Sequence, residues 1–264
     1  MKKISLTFLL TAFSLCLSSA AIFADDAPGY TDGPFLPNSH WRVHDQARPQ
    51  PKMVTPGVGD LGVTAPEDAT VLFDGTNLDA WQRTDGQPIG DGIEDGAFNI
   101  QKTGQLRTKE AFGDYQLHLE WASPLGPEYL MNWGNSGVLL MERFEIQIIE
   151  SHDSFIYADG NAGSVYGQYP PMVNPARKPG EWQSFDIFFT APRFDGETLL
   201  APAYVTVLYN GVLVQNHREI LGTVAHRGLP GAYPVMEKGP ILLQEHGSGV
   251  QFRNIWIREI KDAE

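Results

Sequence analysis

An all-β chain folded as a two-sheet antiparallel β-sandwich or jelly roll is what this sequence predicts, on three observations. Short runs rich in β-branched and aromatic residues recur from Thr70 to Ile260, separated by Gly, Pro, Asn and Asp turn signals. Several of these runs alternate apolar and polar residues, and no segment sustains a helical period over three turns. Asn210-Gly211, between "AYVTVLY" and "VLVQN", is a two-residue hairpin signal. Strands at this spacing without intervening helices favour packed antiparallel sheets over a βαβ sheet.

The chain divides into three parts. Residues 1–24 read as a secretory signal peptide: Lys2 and Lys3 precede an apolar run from Ile4 to Leu17, and small residues lead to Ala24 before Asp25-Asp26. We therefore expect a periplasmic or secreted protein cleaved after Ala24. The single cysteine, Cys16, leaves with that leader, and Leu15 stands where a lipoprotein would need a small residue. The exported fold must then rest on its core or on a bound ion, without disulfides. Residues 25–65 are rich in Pro and Gly and read as an extended arm, with Trp41 and Val43 as anchors. Residues 66–264 form the sandwich domain, long enough to enclose a sizeable core.

Within that domain the expected strands are "ATVLFDG", "AFNI", "YQLHLEW", "SGVLLM", "RFEIQII", "WQSFDIFFTAP", the two arms of the Asn210-Gly211 hairpin, "GPILLQE" and "VQFRNIWIREI". The stretch from His152 to Gly180 is too long for a plain connection and is expected to overhang a site.

The formal charge is −13, and −15 once Lys2 and Lys3 are removed. Such an acidic surface argues against nucleic acid and anionic membrane as partners of the exported chain and is silent about neutral sugars. The chain lacks the glycine-rich phosphate-binding motifs, the HExxH helix and the GxSxG elbow, so no nucleotide or organic cofactor is expected.

Four constellations could carry chemistry. In "RFEIQIIES", residues 143–151, Glu145 and Gln147 share one strand face, and a bulge near Ile148-Ile149 would bring Glu150 onto it. A half-exposed edge strand would explain the same residues without function. His118 and Glu120 in "QLHLEW" could give one divalent ion an imidazole and a carboxylate, although exposed alternation explains the same pattern without function and is the reading these residues favour by themselves. In "LLQEHGSGVQFRNIW", Gln244 and His246 share a face, as do Gln251 and Arg253. If this is a hairpin turning at Gly247–Gly249, it places a base or metal ligand beside an oxyanion-binding cation. In "GSVYGQYPP", Tyr166, Gln168 and Tyr169 could meet a sugar ring, or could pack a surface loop. His44, His152, His217 and His226 have no matched partner nearby and receive no role.

Several stretches together resemble the 3-keto-disaccharide hydrolase domain family: "VLFDGTNLDAWQ", "GNSGVLLMERFEIQIIES", "GPILLQEHGSGVQFRNIWIREI", "GSVYGQYPPMVNPARKPGEWQSFDIFFTAPRFDG" and the arm with "WRVHD" and "RPQP". The likeness runs from about Tyr30 to Ile260 and implies an exported bacterial sandwich of the concanavalin-like lectin/glucanase type. Met141 and Glu142 depart from it, standing where many members carry Arg and Gly. Glu145 to Glu150 also looks like the ExDxxE strand of retaining laminarinases, but Gln147 cannot share a proton as the middle Asp does, which argues against that glycosidase mechanism.

The family resemblance implies cleavage of 3-keto-glycosides, in which a C3 ketone acidifies the C2 proton and a base triggers loss of the C1 substituent. On that expectation Glu145 and His246 act as base or bind a divalent ion, with His118 and Glu120 as further ligands. Arg253 orients the substrate or stabilises the enolate, Glu150 joins if the bulge exists, and Gln147, Tyr166, Gln168 and Gln244 contact hydroxyls. The alternatives are a non-catalytic carbohydrate-binding module and, less favoured, a laminarinase-like retaining glycosidase.

Overall fold

Period-two patterning sets the architecture. In the strand Tyr115–Ala122, Tyr115, Leu117, Leu119 and Trp121 enter the core, while Gln116, His118 and Glu120 take the other face. The computed structural model describes residues 28–57, 61–126, 132–152 and 155–261; the expected leader lies outside them. In chain order the strands are β1 (Thr70–Phe73), β2 (Trp81–Arg83), β3 (Ile93–Glu94), β4 (Ala97–Asn99), β5 (Leu106–Thr108), β6 (Tyr115–Ala122), β7 (Ser136–Leu140) and β8 (Phe144–Ile148). They continue as β9 (Gln183–Thr190), β10 (Arg193–Asp195), β11 (Thr198–Ala201), β12 (Tyr204–Tyr209), β13 (Val212–Glu219), β14 (Leu242–Leu243) and β15 (Gln251–Glu259).

Two antiparallel sheets enclose the core. An eight-stranded sheet runs β13-β12-β9-β6-β15-β4-β3, with β1 also paired to β15, and a five-stranded sheet runs β2-β5-β14-β7-β8. Phe185, Ile187 and Phe189 of β9 meet Phe144, Ile146 and Ile148 of β8 in one apolar cluster. Trp121 and Phe185 lie 5.5 Å apart between ring centroids, and Phe185 meets Tyr209 edge-on at 4.9 Å. Each such fully buried side chain contributes about 1.5–3 kcal/mol, so this layer fixes the register of both sheets.

Asn210-Gly211 does turn β12 into β13, with both residues at positive φ, as a two-residue hairpin of this kind requires. "GPILLQEHGSGVQFRNIW" is not a hairpin. Its first strand, β14, pairs with β5 and β7, and its second, β15, pairs with β6 and β4, so the chain crosses from one sheet to the other at Gly247–Gly249.

The arm from Pro28 to Gly57 is folded back on itself rather than extended. Tyr30 bridges to Asp45 and Phe35 to Arg42, Val43 is buried, and Met53 bridges to Asn174. The segment 155–176 packs onto the outer edge of β8. Gln147 N–H donates to Ser164 O at 3.0 Å, Gly163 N–H to Gln147 O at 2.9 Å and Tyr166 N–H to Glu145 O at 3.1 Å. These bonds satisfy the free edge of β8, so it is not a wet edge strand.

Candidate active site

The face of β8 turned away from the core carries Glu145 and Gln147, because Phe144, Ile146 and Ile148 take the other face. Opposite them on β7, Gly137 has no side chain, and a Cβ there would lie 2.7 Å from Glu145 Oε1. The backbone of β7 thus leaves room for the carboxylate. Gln244, just beyond β14, is fixed by its N–H to Gly137 O at 3.0 Å and by Ser136 Oγ on its own carbonyl at 2.6 Å. Two loops complete the site: Tyr166 from the segment over β8, and His226 from a loop closed by the Thr223–Gly231 bridge and tied by Val224 N–H to Arg143 O.

The result is a cavity of about 250 Å³ lined by Asn135, Glu145, Gln147, Tyr166, Val224, Ala225, His226, Gln244 and His246. Five residues singled out from the sequence therefore converge: Glu145, Gln147, Tyr166, Gln244 and His246. Glu145 is only 7% exposed, and no cation or donor among the described residues pairs with its carboxylate. Burial alone raises its pKa to about 8. Gln147 Oε1 is buried with no donor among the described residues.

Tyr166 Oη lies 3.0 Å from His226 Nδ1 and 2.6 Å from Tyr157 Oη. Burial drives the Tyr166 phenol up to about 12. The bond from Tyr157 opposes this, and the charges of Glu145 and Asp159 add to it. Burial, then the neighbouring His44, Arg227 and His246, hold the His226 imidazole below its usual range. The cavity thus joins a carboxylate reluctant to ionise, a phenol–imidazole pair and three side-chain amides, the elements of proton transfer on a polyol.

Other expected residues lie elsewhere. His118 and Glu120 face outward from the eight-stranded sheet, with the whole core between them and Glu145. Their partners are local: His118 Nδ1 is 2.9 Å from Asp186 Oδ1, and Glu120 accepts from Arg253 Nε at 2.7 Å and from Asn254 Nδ2 at 2.9 Å. Arg253 also stacks over Trp182, with Cζ 4.0 Å from the ring centroid, so it cannot reach an enolate in the cavity. The four proposed metal ligands are therefore split between two surfaces. Among the described residues no three of His, Cys, Asp and Glu are grouped to hold one ion.

The alternation does break where a bulge was expected, since Ile148 and Ile149 both enter the core, but the β7–β8 ladder has already ended at Ile148 without a register shift. Glu150 lies outside the cavity lining and accepts from His152 N–H at 2.6 Å. A bulge does occur on β15 between Arg253 and Trp256, where Asn254 adopts φ +45°. Gln168 is a structural clamp: its amide donates to Gly222 O at 3.1 Å and accepts from Leu221 N–H at 2.7 Å. Sequence reasoning missed Asn135, His226 and Tyr157, whose local sequence shows no pairing.

Fold and cavity together define a carbohydrate-active, glycosyl hydrolase-like sandwich protein. The chain belongs to the 3-keto-alpha-glucoside-1,2-lyase-like domain family, whose model matches residues 68–258. It is similar to a protein of known crystal structure from Parabacteroides distasonis ATCC 8503, provisionally named a glycosyl hydrolase. The two are 43% identical over 81% of this chain and 93% of that one, with a TM-score of 0.71. A second such protein from the same organism is 21% identical over 74% of this chain and 95% of its own, with a TM-score of 0.53, and supports the fold alone. No curated protein matches the chain.

Proposed function

We propose that this protein cleaves 3-keto-glycosides by abstracting the C2 proton and expelling the C1 substituent, with water addition completing a net hydrolysis. The observation that carries this is Glu145, a buried carboxylate without a cation, facing a hydrogen-bonded phenol–imidazole pair across one small polar cavity. Glu145 is the base: a carboxylate held near pKa 8 binds a carbon-bound proton far better than an exposed one. As the C2–H bond breaks, its electrons form the C1=C2 double bond and the C1–O1 bond opens. The leaving oxygen takes a proton from the Tyr166–His226 pair. His246 donates to the ketone oxygen, where negative charge builds, and Asn135, Gln147 and Gln244 hold hydroxyls.

Water then adds across the double bond, hydroxyl to C1 and proton to C2, so no oxidant or reductant is consumed. Support for the substrate class comes from the family to which the chain belongs. Export to the periplasm or medium is part of the same proposal, and the N-terminal mass of the mature protein should correspond to a start at Asp25.

The test is incubation of the mature protein with methyl 3-keto-glucoside, with and without chelator, following release of methanol. The chelator arm matters because Glu145 and His246, two of the proposed metal ligands, do share the cavity. Turnover by the wild type and its loss in Glu145→Gln would support the assignment. Glycan binding without any turnover would instead favour a carbohydrate-binding module.

A further inference from the structure

The arm lies outside the region matched by the family model, yet it places a side chain against Tyr166 and His226 of the cavity lining. His44 sits at φ +53°, a left-handed conformation uncommon for a residue with a Cβ, and its side chain is fully buried. The fold holds it there closely. Tyr30 N–H donates to His44 O at 2.8 Å, and Gly29 packs so near that carbonyl that a Cβ would approach within 2.7 Å. Asp159 clamps the residue twice: Oδ2 accepts from the His44 backbone N–H at 3.0 Å and Oδ1 from Nδ1 at 3.0 Å, while Arg48 stands 3.6 Å from the same carboxylate.

An ionised carboxylate can only accept, so in this pair Nδ1 is the donor. Nε2 is buried with no partner among the described residues. The ring stacks on Tyr157 at 3.8 Å and lies 5.1 Å from the Tyr166 ring and 5.6 Å from the His226 ring. The ring thus lies between the phenol–imidazole chain of the cavity and the Asp159 clamp, with the Tyr30 ring at 6.2 Å and Gly167 beside Cε1. A residue needed only for packing could be Phe, which would make the same stack without stranding a polar atom.

We propose that His44, oriented by Asp159, is a positioning residue for the proton donor: it sets the protonation and orientation of the Tyr157–Tyr166–His226 chain that protonates the leaving oxygen. This rests on the keto-glycoside reading above and adds that the arm is part of the active site.

The experiment compares two substrates differing only in leaving group: methyl 3-keto-glucoside, whose methoxide must be protonated, and 4-nitrophenyl 3-keto-glucoside, whose phenolate departs unaided. For His44→Phe we expect kcat on the methyl substrate to fall at least tenfold with KM within threefold, and kcat on the nitrophenyl substrate to stay within twofold. Equal losses on both substrates would show a structural role and overturn the proposal, as would no loss on either. If His44→Phe does not fold, Asp159→Asn must give the same split. Glu145→Gln should fail on both substrates, since the base is needed whatever the leaving group. No turnover of either substrate by the wild type would overturn the parent reading and this one with it; wild-type turnover without a split would overturn this one alone.

Discussion

Gly137 and Glu145 occupy one face of neighbouring strands so tightly that a Cβ on Gly137 would stand 2.7 Å from Glu145 Oε1 and 3.2 Å from Cδ. The crowded atoms are the far end of a flexible side chain, so Gly137→Ala should fold and move the carboxylate instead. We expect a stability loss no larger than the usual overpacking cost of about 1–3 kcal/mol. Misplacing the base should lower kcat/KM by about tenfold to a hundredfold. Steady-state kinetics beside a thermal melt check this; full activity in Gly137→Ala would mean that Glu145 needs no fixed position.

Glu145 also gives stability a pH dependence of known sign. Its pKa rises from 4.5 unfolded to about 8 folded, so the native state holds a proton that the unfolded chain has released. Its contribution is therefore full below pH 4.5 and declines as pH rises toward 8, with a slope of at most about 1.4 kcal/mol per pH unit. Glu145→Gln should flatten that slope and melt higher than wild type at pH 8. In the wild type, kcat/KM should climb through the same window as the base ionises, and in Glu145→Gln it should fall by about 10²–10⁴-fold.

The outward cluster on the eight-stranded sheet predicts a different phenotype. Burial opposes the charge on Glu120, but His118, Asn254, the Gly62 N–H and Arg253 outweigh it and lower the carboxyl to about 2. Burial likewise opposes the charge on His118, and Asp186 with Glu120 raise it to about 9. The contribution of Glu120 is thus present above 4.5 and lost as pH falls toward 2, while that of His118 is present below 6.5 and lost as pH rises through about 9. Glu120→Gln should cost about 3–5 kcal/mol in urea melts at neutral pH, because it strands buried partners. Arg253→Ala should leave kcat/KM within about twofold, since the core separates it from the cavity; a large loss would return Arg253 to the site.

Met141 and Glu142 form the turn from β7 to β8 with φ of +54° and +56°. A side chain in this conformation costs roughly 1–2 kcal/mol. The half-exposed pair with Arg107 at 3.4 Å returns little. Glu142→Gly should therefore raise the melting temperature, by about 0.5–1 kcal/mol of stability, without changing turnover.

Local chemistry made much of this legible. Alternation in "YQLHLEW" and "FEIQI" fixed which side chains enter the core, and Asn210-Gly211 fixed one hairpin. Five cavity residues were found because each stands on the polar face of a strand or in a loop shaped by Gly and Pro. The short strands β2, β3, β5, β10 and β11 were not seen, since two to four residues carry no readable period.

What the sequence determined by itself is the face each strand residue takes, because that depends only on the two-residue repeat of an extended chain. What the tertiary structure alone decided is which outward faces share a cavity. Glu145 and His118 look alike in sequence, each polar on an apolar strand, but two sheets back to back turn their polar faces in opposite directions. His44, Asp159 and His226 meet only because the arm and two loops fold over the same edge of β8. Those contacts span 115 residues between His44 and Asp159 and 60 between Tyr166 and His226, and no local pattern encodes them.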